Sequence, residues 1–321
     1  MLTPRKLKAL YEQGKNICAL FRKENGTERN TDEIIEIAYD LQAGGYVAPK
    51  QQQKILAFLK DYTAEIARTI LSLCKPTSIL EAGVGQAATL SGVLQHLALE
   101  VRSFGFDLSW SRVAYAKRWL QNQGLTETTL CTGNLFHIPF ADNSIDIVYT
   151  SHSIEPNGGY EAPILRELYR VTRKFLILLE PGYELACDKA RRRMDFHGYC
   201  KNIKGTAEDL GYNVLRHDLF PIIENPLNPT AITIIKKDEN SLPPAHILAC
   251  PKFKTPLEPI EDVLFSPEGL VVYPIIAGIP CLRIENGILA SKFKEVMTWG
   301  REALRPPEMD LGSRAREEQN R

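Results

Sequence analysis

Three short stretches carry the residue types and spacings that could do chemistry. In the first, Ser78-Ile-Leu-Glu81-Ala-Gly83-Val-Gly85, an apolar run meets an acid and then two glycines before a helical pattern begins. Gly83 and Gly85 allow a tight turn and leave no Cβ between the backbone and a ligand. A carboxylate at Glu81 would repel a pyrophosphate on the following helix N-terminus and attract a cation, so the loop favours a positively charged ligand. In the second, Val101-Arg-Ser-Phe-Gly-Phe-Asp107-Leu108-Ser109, another apolar run ends on an acid. Asp107 is placed to take both hydroxyls of a ribose. The third runs from Thr132 through Gly133-Asn134-Leu135 to Pro-Phe-Ala-Asp-Asn-Ser-Ile-Asp146. Asn134 can read an adenine edge through its amide, and Leu135 offers a backbone N–H and an apolar wall. The first two stretches alone also have plainer readings, Gly83 and Gly85 as a ligand-free strand-to-helix turn and Asp107 as a helix N-terminal acid beside a Ser109 or Ser111 cap.

A fourth stretch, Tyr149-Thr-Ser151-His152-Ser-Ile-Glu155-Pro-Asn-Gly158, ends an apolar run at the sheet edge where open α/β sheets bind ligands. His152 can accept a proton near neutral pH, and Glu155 can do so if desolvated or can orient an amine. The alternative is that His152 packs against a ligand and Glu155 caps a helix.

The elements that must hold these residues are legible in the hydrophobic texture. Residues 1–74 read as a helical cap, with Ile34, Ile35, Ala38 and Leu41 on one stripe and Ile55, Leu59, Tyr62, Ile66 and Ile70 on another. From Ser78, short apolar runs alternate with amphipathic helices. This predicts strands near 78–82, 101–107, 128–132, 145–151, 174–180, 213–217 and 230–236, and helices near 86–98, 109–123, 161–173 and 204–211. The fold class is α/β: a doubly wound, mainly parallel seven-stranded sheet over 75–238, its last strand returning antiparallel. A charged, proline-rich linker spans 239–245, a small β-rich unit 246–293, and a polar tail 294–321.

Taken in series, Glu81-Ala-Gly-Val-Gly, Phe106-Asp-Leu-Ser and Gly133-Asn with Pro-Phe-Ala-Asp-Asn-Ser-Ile-Asp146 resemble the three cofactor motifs of class I S-adenosylmethionine-dependent methyltransferases, a resemblance covering about residues 50–236. It implies S-adenosyl-L-methionine as cofactor, with Glu81, Gly83 and Gly85 at the methionine end, Asp107 and Leu108 at the ribose, Asn134 and Leu135 at the adenine, and Ser151 nearby. Asn134 stands where the family often has Asp, and Ala87 where it often has Gly. The stretch after the fourth strand lacks the Asn-Pro-Pro-Tyr arrangement of relatives that methylate amide or exocyclic amine nitrogens.

Acceptor specificity is expected from two insertions. Tyr39, Gln42 and Tyr46 are candidate substrate residues in a lid, or else an ordinary helix end with a glycine stop. Arg192 and His197, with Arg191 and Arg193, could receive a phosphate or carboxylate, or simply form a solvated helix face.

Residues 246–282, from His-Ile-Leu-Ala-Cys250-Pro to Tyr273-Pro-Ile-Ile-Ala-Gly-Ile-Pro-Cys281-Leu, are similar to the small zinc-ribbon activator subunit of tRNA, rRNA and release-factor methyltransferases. Four thiolates would make such a site, but Phe253, Ser266 and Gly269 occupy three of the positions. A metal-free unit acting in cis is therefore expected, covering an apolar edge or shaping the acceptor entrance; a homodimer contact is the alternative.

Lys+Arg and Asp+Glu both number 39, giving a formal net charge of +0. That argues against an RNA substrate, whose grip needs several cationic phosphate contacts. No apolar run reaches membrane-spanning length, and the N-terminal stretch is charged, so a cytoplasmic protein with seven unpaired, scattered cysteines is expected. The leading expectation is methyl transfer to an oxygen or nitrogen of a small polar acceptor: a sugar, a nucleotide-linked sugar or a specialised metabolite. The alternatives are an RNA or protein methyltransferase with a fused activator, and a non-catalytic cofactor-binding scaffold.

Overall fold

The computed structural model describes residues 3–27, 29–44, 49–238 and 241–298. Four helices precede the sheet: α1 (Pro4–Glu12), α2 (Ile17–Asn25), α3 (Asp32–Leu41) and α4 (Pro49–Leu73). Thr3, Asn16 and Thr31 cap the first three by accepting a backbone N–H from Lys6, Ala19 and Ile34. These three helices bury Leu7, Ile17, Phe21, Ile34 and Ala38 in a small core of their own. By contrast, α4 sends Tyr62, Ile66, Ala67 and Ile70 into the same core as Ile79, Leu90 and Ile147 of the main layer. The helical region before the sheet is thus a three-helix bundle followed by a helix of the sheet's own covering.

The main layer runs β1 (Ser78–Ala82), α5 (Ala88–Leu97), β2 (Arg102–Asp107), α6 (Trp110–Asn122), β3 (Thr129–Thr132), β4 (Ile145–Ser151), α7 (Glu161–Val171), β5 (Thr172–Pro181), α8 (Asp188–His197), α9 (Ile203–Asp209), β6 (Asn213–Leu219) and β7 (Thr230–Lys236). Its strand order is β3-β2-β1-β4-β5-β7-β6. The first five strands are mutually parallel, and β7 runs antiparallel to β5 and β6 as expected. Every residue of β1 is buried, the consequence of helices on both faces. From β1 the chain first winds toward β2 and β3 and then, at β4, in the opposite direction. The carboxyl ends of β1 and β4 therefore flank a crevice, the position where doubly wound sheets take ligands.

At the opposite end of those strands a buried acid locks the register. Asp146, fully buried, accepts the Thr77 N–H at 2.9 Å and its hydroxyl at 3.0 Å, and it pairs with Lys174 at 2.9 Å and with Arg173. Its own N–H reaches Ser78 Oγ at 2.9 Å. So the last acid of the third motif is structural, and it ties the start of β4 to those of β1 and β5.

After the linker come β8 (Glu258–Ile260), β9 (Val263–Ser266), β10 (Val271–Ile276), β11 (Ile279–Pro280), β12 (Ile288–Leu289) and α10 (Phe293–Thr298). The strands form an antiparallel sheet, ordered β11-β10-β9-β8 with β12 on β10. This unit covers the outer edge of β3. Cys281 bridges to Thr132, the Leu282 N–H donates to Thr132 O at 3.2 Å, and Ile247 to Ala249 pair with Pro139 to Ala141. Its buried Cys250, Leu264, Tyr273 and Leu282 join the core that holds Phe104 and Phe140. Charged contacts add to this: Lys254 meets Glu167 at 2.7 Å, Lys117 donates to Ala277 O at 3.0 Å, and Arg283 pairs with Glu36 of α3. A free sheet edge invites foreign strands, and here it is capped from within the chain.

Inside the unit, three of the four positions compared with zinc ligands, Phe253, Ser266 and Gly269, meet in one contact, while Cys250 meets Tyr273. Cys250 Sγ is 3.6 Å from the Tyr273 hydroxyl, and the Gly269 N–H reaches Ser266 Oγ at 3.2 Å with the Phe253 ring packed against the glycine. Among the described residues, no group of three or more His, Cys, Asp and Glu is arranged to hold a metal ion, and no helix is long and apolar enough to cross a membrane.

Burial alone would raise the Asp146 pKa, but the Thr77 N–H and the Lys174 and Arg173 charges outweigh it and hold the carboxyl below its usual value. Its stabilisation is therefore present above the unfolded carboxylate range and lost as pH falls through the folded value. Asp146→Ala is expected to lower stability by about 3 kcal/mol at pH 7, measured by urea unfolding, with the gap to wild type closing on acidification.

Candidate functional site

The crevice at the β1 and β4 ends opens into a cavity of about 880 Å³, near the upper end of the range for small-molecule sites and large enough for a nucleoside cofactor with a small second ligand. Its wall brings together eight residues singled out above as cofactor contacts: Glu81, Gly83, Gly85, Asp107, Leu108, Asn134, Leu135 and Ser151. Tyr39, Gln42, His152 and Glu155 line the same space. Arg192 and His197 are not among the lining residues: Arg192 is exposed on α8, and the His197 carbonyl serves as an acceptor for Arg22. The neighbouring Arg191 donates to Tyr183 O and Glu184 O, a structural role. Tyr46 lies outside the described residues.

The loop after β1 needs its glycines. Gly83 has φ +78°, and a Cβ there would stand 2.2 Å from Ser153 Cβ, so the β1 and β4 loops touch where any side chain would force them apart. Gly85 has φ +53°, and its N–H donates to Asp107 Oδ2 at 2.9 Å. Ala87 also adopts a left-handed conformation, φ +60°, which explains the glycine usual in this motif; its methyl is fully buried in the core.

Each acid has a definite environment. Glu81 is 2% exposed and accepts a hydrogen bond from the Tyr149 hydroxyl at 2.9 Å, with the Leu90 N–H as a further donor. Burial, only partly offset by those two bonds, pushes its pKa up to about 8. A buried carboxyl facing a cavity and held neutral is a site for a cation, which would restore its charge. Asp107 spends one lone pair of each oxygen on the Gly85 and Ser109 N–H groups, leaving one per oxygen for a pair of hydroxyls. Burial raises its pKa against the opposing pull of Arg112. These donors fit an S-adenosyl cofactor: Glu81 and the Gly83–Gly85 turn for its ammonium-bearing end, Asp107 for its ribose. At Asn134 the oxygen is engaged by the Phe136 N–H at 2.9 Å, while Nδ2 donates to Asp32 at 2.7 Å.

The β4 loop is held by an acid that sequence reasoning missed. Glu180, at the end of β5, accepts the N–H groups of Ser153 and Ile154 at 3.1 Å and of Glu155 at 3.0 Å. Burial raises its pKa to about 7. An apolar run ending on an acid is the signal that marked Glu81 and Asp107, and it was present here too. The turn carries strain, since His152 adopts φ +56°. His152 Nδ1 lies 2.5 Å from Glu155 Oε2 and Nε2 lies 2.8 Å from Thr230 Oγ1. Asn228 Nδ2 donates to the same Glu155 oxygen at 3.0 Å. Thr230 and Asn228 precede or begin β7, far from β4 in sequence, and no motif announces them.

Bringing the ammonium of a bound ligand beside Glu81 should pull the Glu81 proton off. Below pH 8 the free protein carries that proton, so S-adenosylhomocysteine binding at pH 7 is expected to release close to one proton per site, measured by calorimetry in buffers of different ionisation enthalpy. Glu81→Gln should bind without that release.

Comparison with known families agrees with the geometry. Residues 80–177 match the family model described as "Methyltransferase domain". Among solved structures, the chain is similar to a SAM-dependent methyltransferase from Aquifex aeolicus, at 18% identity and TM-score 0.38 over 50% of this chain and 82% of that one. It is also similar to magnesium protoporphyrin IX methyltransferase from Synechocystis PCC 6803 with bound SAH, at 14% identity and TM-score 0.46 over 57% and 84%. Their substrates say nothing about the acceptor of this chain. No curated protein matches it. Residues 80–177 are a methyltransferase domain, and S-adenosylmethionine is the cofactor of this enzyme.

Proposed function

We propose that the enzyme transfers a methyl group from S-adenosylmethionine to an oxygen or nitrogen of a small polar acceptor bound beside His152, beneath the N-terminal bundle. The observation that carries this reading is the His152–Glu155 pair, 2.5 Å apart in the wall of the cavity that Glu81 and Asp107 also line. The bound cofactor supplies a methyl on a sulfonium, already joined to a good leaving group. What remains for the protein is to hold the acceptor in line, exclude water and take up a proton.

Glu155 fixes the imidazole through Nδ1, so Nε2 is the atom that exchanges a proton, and it now faces the Thr230 hydroxyl. An acceptor O–H or N–H takes that hydroxyl's place. The carboxylates of Glu155, Glu180 and Glu224 all act on His152, so this end of the cavity favours an amine-bearing or neutral acceptor over a phosphate. Glu224, Asn225 and Asn228 line the cavity on the β7 side, while Tyr39 and Gln42 line it from α3 and its end. Arg112 stacks over the Tyr39 ring at 4.6 Å and donates to its carbonyl at 3.1 Å, which anchors Tyr39 against α6.

The resemblance of the C-terminal unit to a methyltransferase activator supports a role in cis. It covers the β3 edge and grips α3 through Arg283, so it steadies the bundle that roofs the cavity. Balanced charge supports a small acceptor over RNA.

A screen with methyl-labelled S-adenosylmethionine against amines, sugars and RNA tests the proposal; label appearing in RNA alone would overturn it. Burial lowers the His152 pKa, but the Glu155 hydrogen bond and charge outweigh it and raise the value above the ordinary imidazole range. Activity should therefore fall as pH drops through a value above about 6.5. Glu155→Gln should move that limb to lower pH. His152→Ala should cut kcat by about 10²-fold with cofactor affinity within about threefold of wild type, as loss of a general base requires.

A further inference from the structure

Asp32 opens α3 directly after its Thr31 cap, and it lines the cavity although it belongs to the N-terminal bundle. Its Oδ2 accepts Asn134 Nδ2 at 2.7 Å. The Asn134 oxygen is turned the other way, onto the Phe136 N–H at 2.9 Å. The flipped amide would set oxygen against carboxylate on one side and N–H against N–H on the other, so the orientation is determined by its neighbours. The strong acceptor at this end of the cavity is therefore the carboxylate of Asp32.

The placement of Asp32 is not incidental to a loosely held helix. Asp32, Glu36 and Asp40 recur every fourth residue and share one face of α3. Each is spent on a different element. Asp32 takes Asn134 of the β3 loop, Glu36 takes Arg283 of the C-terminal unit, and Asp40 takes the hydroxyls of Ser109 at 2.6 Å and Ser111 at 3.1 Å at the start of α6. Three anchors along three turns hold the first residue of the helix at a fixed place on the cavity wall.

We infer that Asp32 reads the exocyclic amino group of the cofactor's adenine and that Asn134 is the positioning residue that holds it there. The inference rests on the reading of this cavity as the S-adenosylmethionine site. A carboxylate accepts an N–H from a 6-amino group and repels the 6-oxo group of a hypoxanthine, so Asp32 sets base specificity. The bundle, which lies outside the matched 80–177 region, is then part of the cofactor site as well as its roof.

Calorimetric titration of the full chain with S-adenosylhomocysteine and with its 6-oxo counterpart, S-inosylhomocysteine, tests this. Wild type should prefer the adenosyl compound by about tenfold or more, the size of a hydrogen bond to a charged group. Asp32→Asn can turn either end of its amide to the base, so the preference should collapse to within about threefold, whereas Asp32→Glu should keep part of it. The ratio of two affinities on one sample does not depend on how much of a variant has folded. A wild-type ratio preserved in Asp32→Asn would overturn the inference and leave the cofactor reading standing. Wild type binding neither compound would overturn both.

Discussion

Carboxylates buried at the ends of parallel strands govern the arrangement of this site. Glu81, Asp107 and Glu180 end β1, β2 and β5, and each is nearly inaccessible to water. A buried carboxylate is tolerable only with donors around it or with its proton retained. Asp107 and Glu180 answer by gathering backbone N–H groups, and in doing so they shape the loops after β1 and β4. Glu81 receives the Tyr149 hydroxyl and the Leu90 N–H, which do not offset its burial, so it keeps its proton and is ready for a cation. The difference in donor supply leaves Glu81 the most open of the three to a cation, while Asp107 keeps one free lone pair on each oxygen and Glu180 spends its oxygens on the β4 loop.

The same economy extends to elements outside the sheet. The acidic face of α3 is a set of three attachments, to the β3 loop, to the C-terminal unit and to α6. Since the C-terminal unit also completes the β3 edge, the N-terminal bundle, the sheet and the terminal unit meet around one wall of the cavity. Their joint effect is to hold one wall of the cavity in which the imidazole of His152, fixed by Glu155, also stands.

Much of the sheet was legible because parallel strands buried on both faces read as continuous apolar runs, and the strand positions follow those runs within a few residues. That these residues would line one cavity was legible because Glu81, Gly83, Gly85, Asp107 and Asn134 sit close in sequence to the strands that aim them. What was hidden depends on contacts across the chain. Thr230 and Asn228 meet His152 and Glu155 only because β7 folds back antiparallel beside β5, and Asp32 meets Asn134 only once the bundle docks. The Asp32, Glu36, Asp40 periodicity was in view, but an acidic stripe at that spacing also describes a solvated helix face, and nothing local distinguishes the two. Arg192 and His197 illustrate the converse: a basic cluster suggested an anion site, and α8 keeps both outside the cavity wall.

The central claim, that these buried acids and glycines form an S-adenosylmethionine site, is tested most directly by titrating S-adenosylhomocysteine into the full chain and into Asp107→Ala. The account predicts one saturable site per chain in the wild type and its loss in the variant, which cannot hold the ribose. Absence of binding to the wild type at millimolar ligand would contradict it.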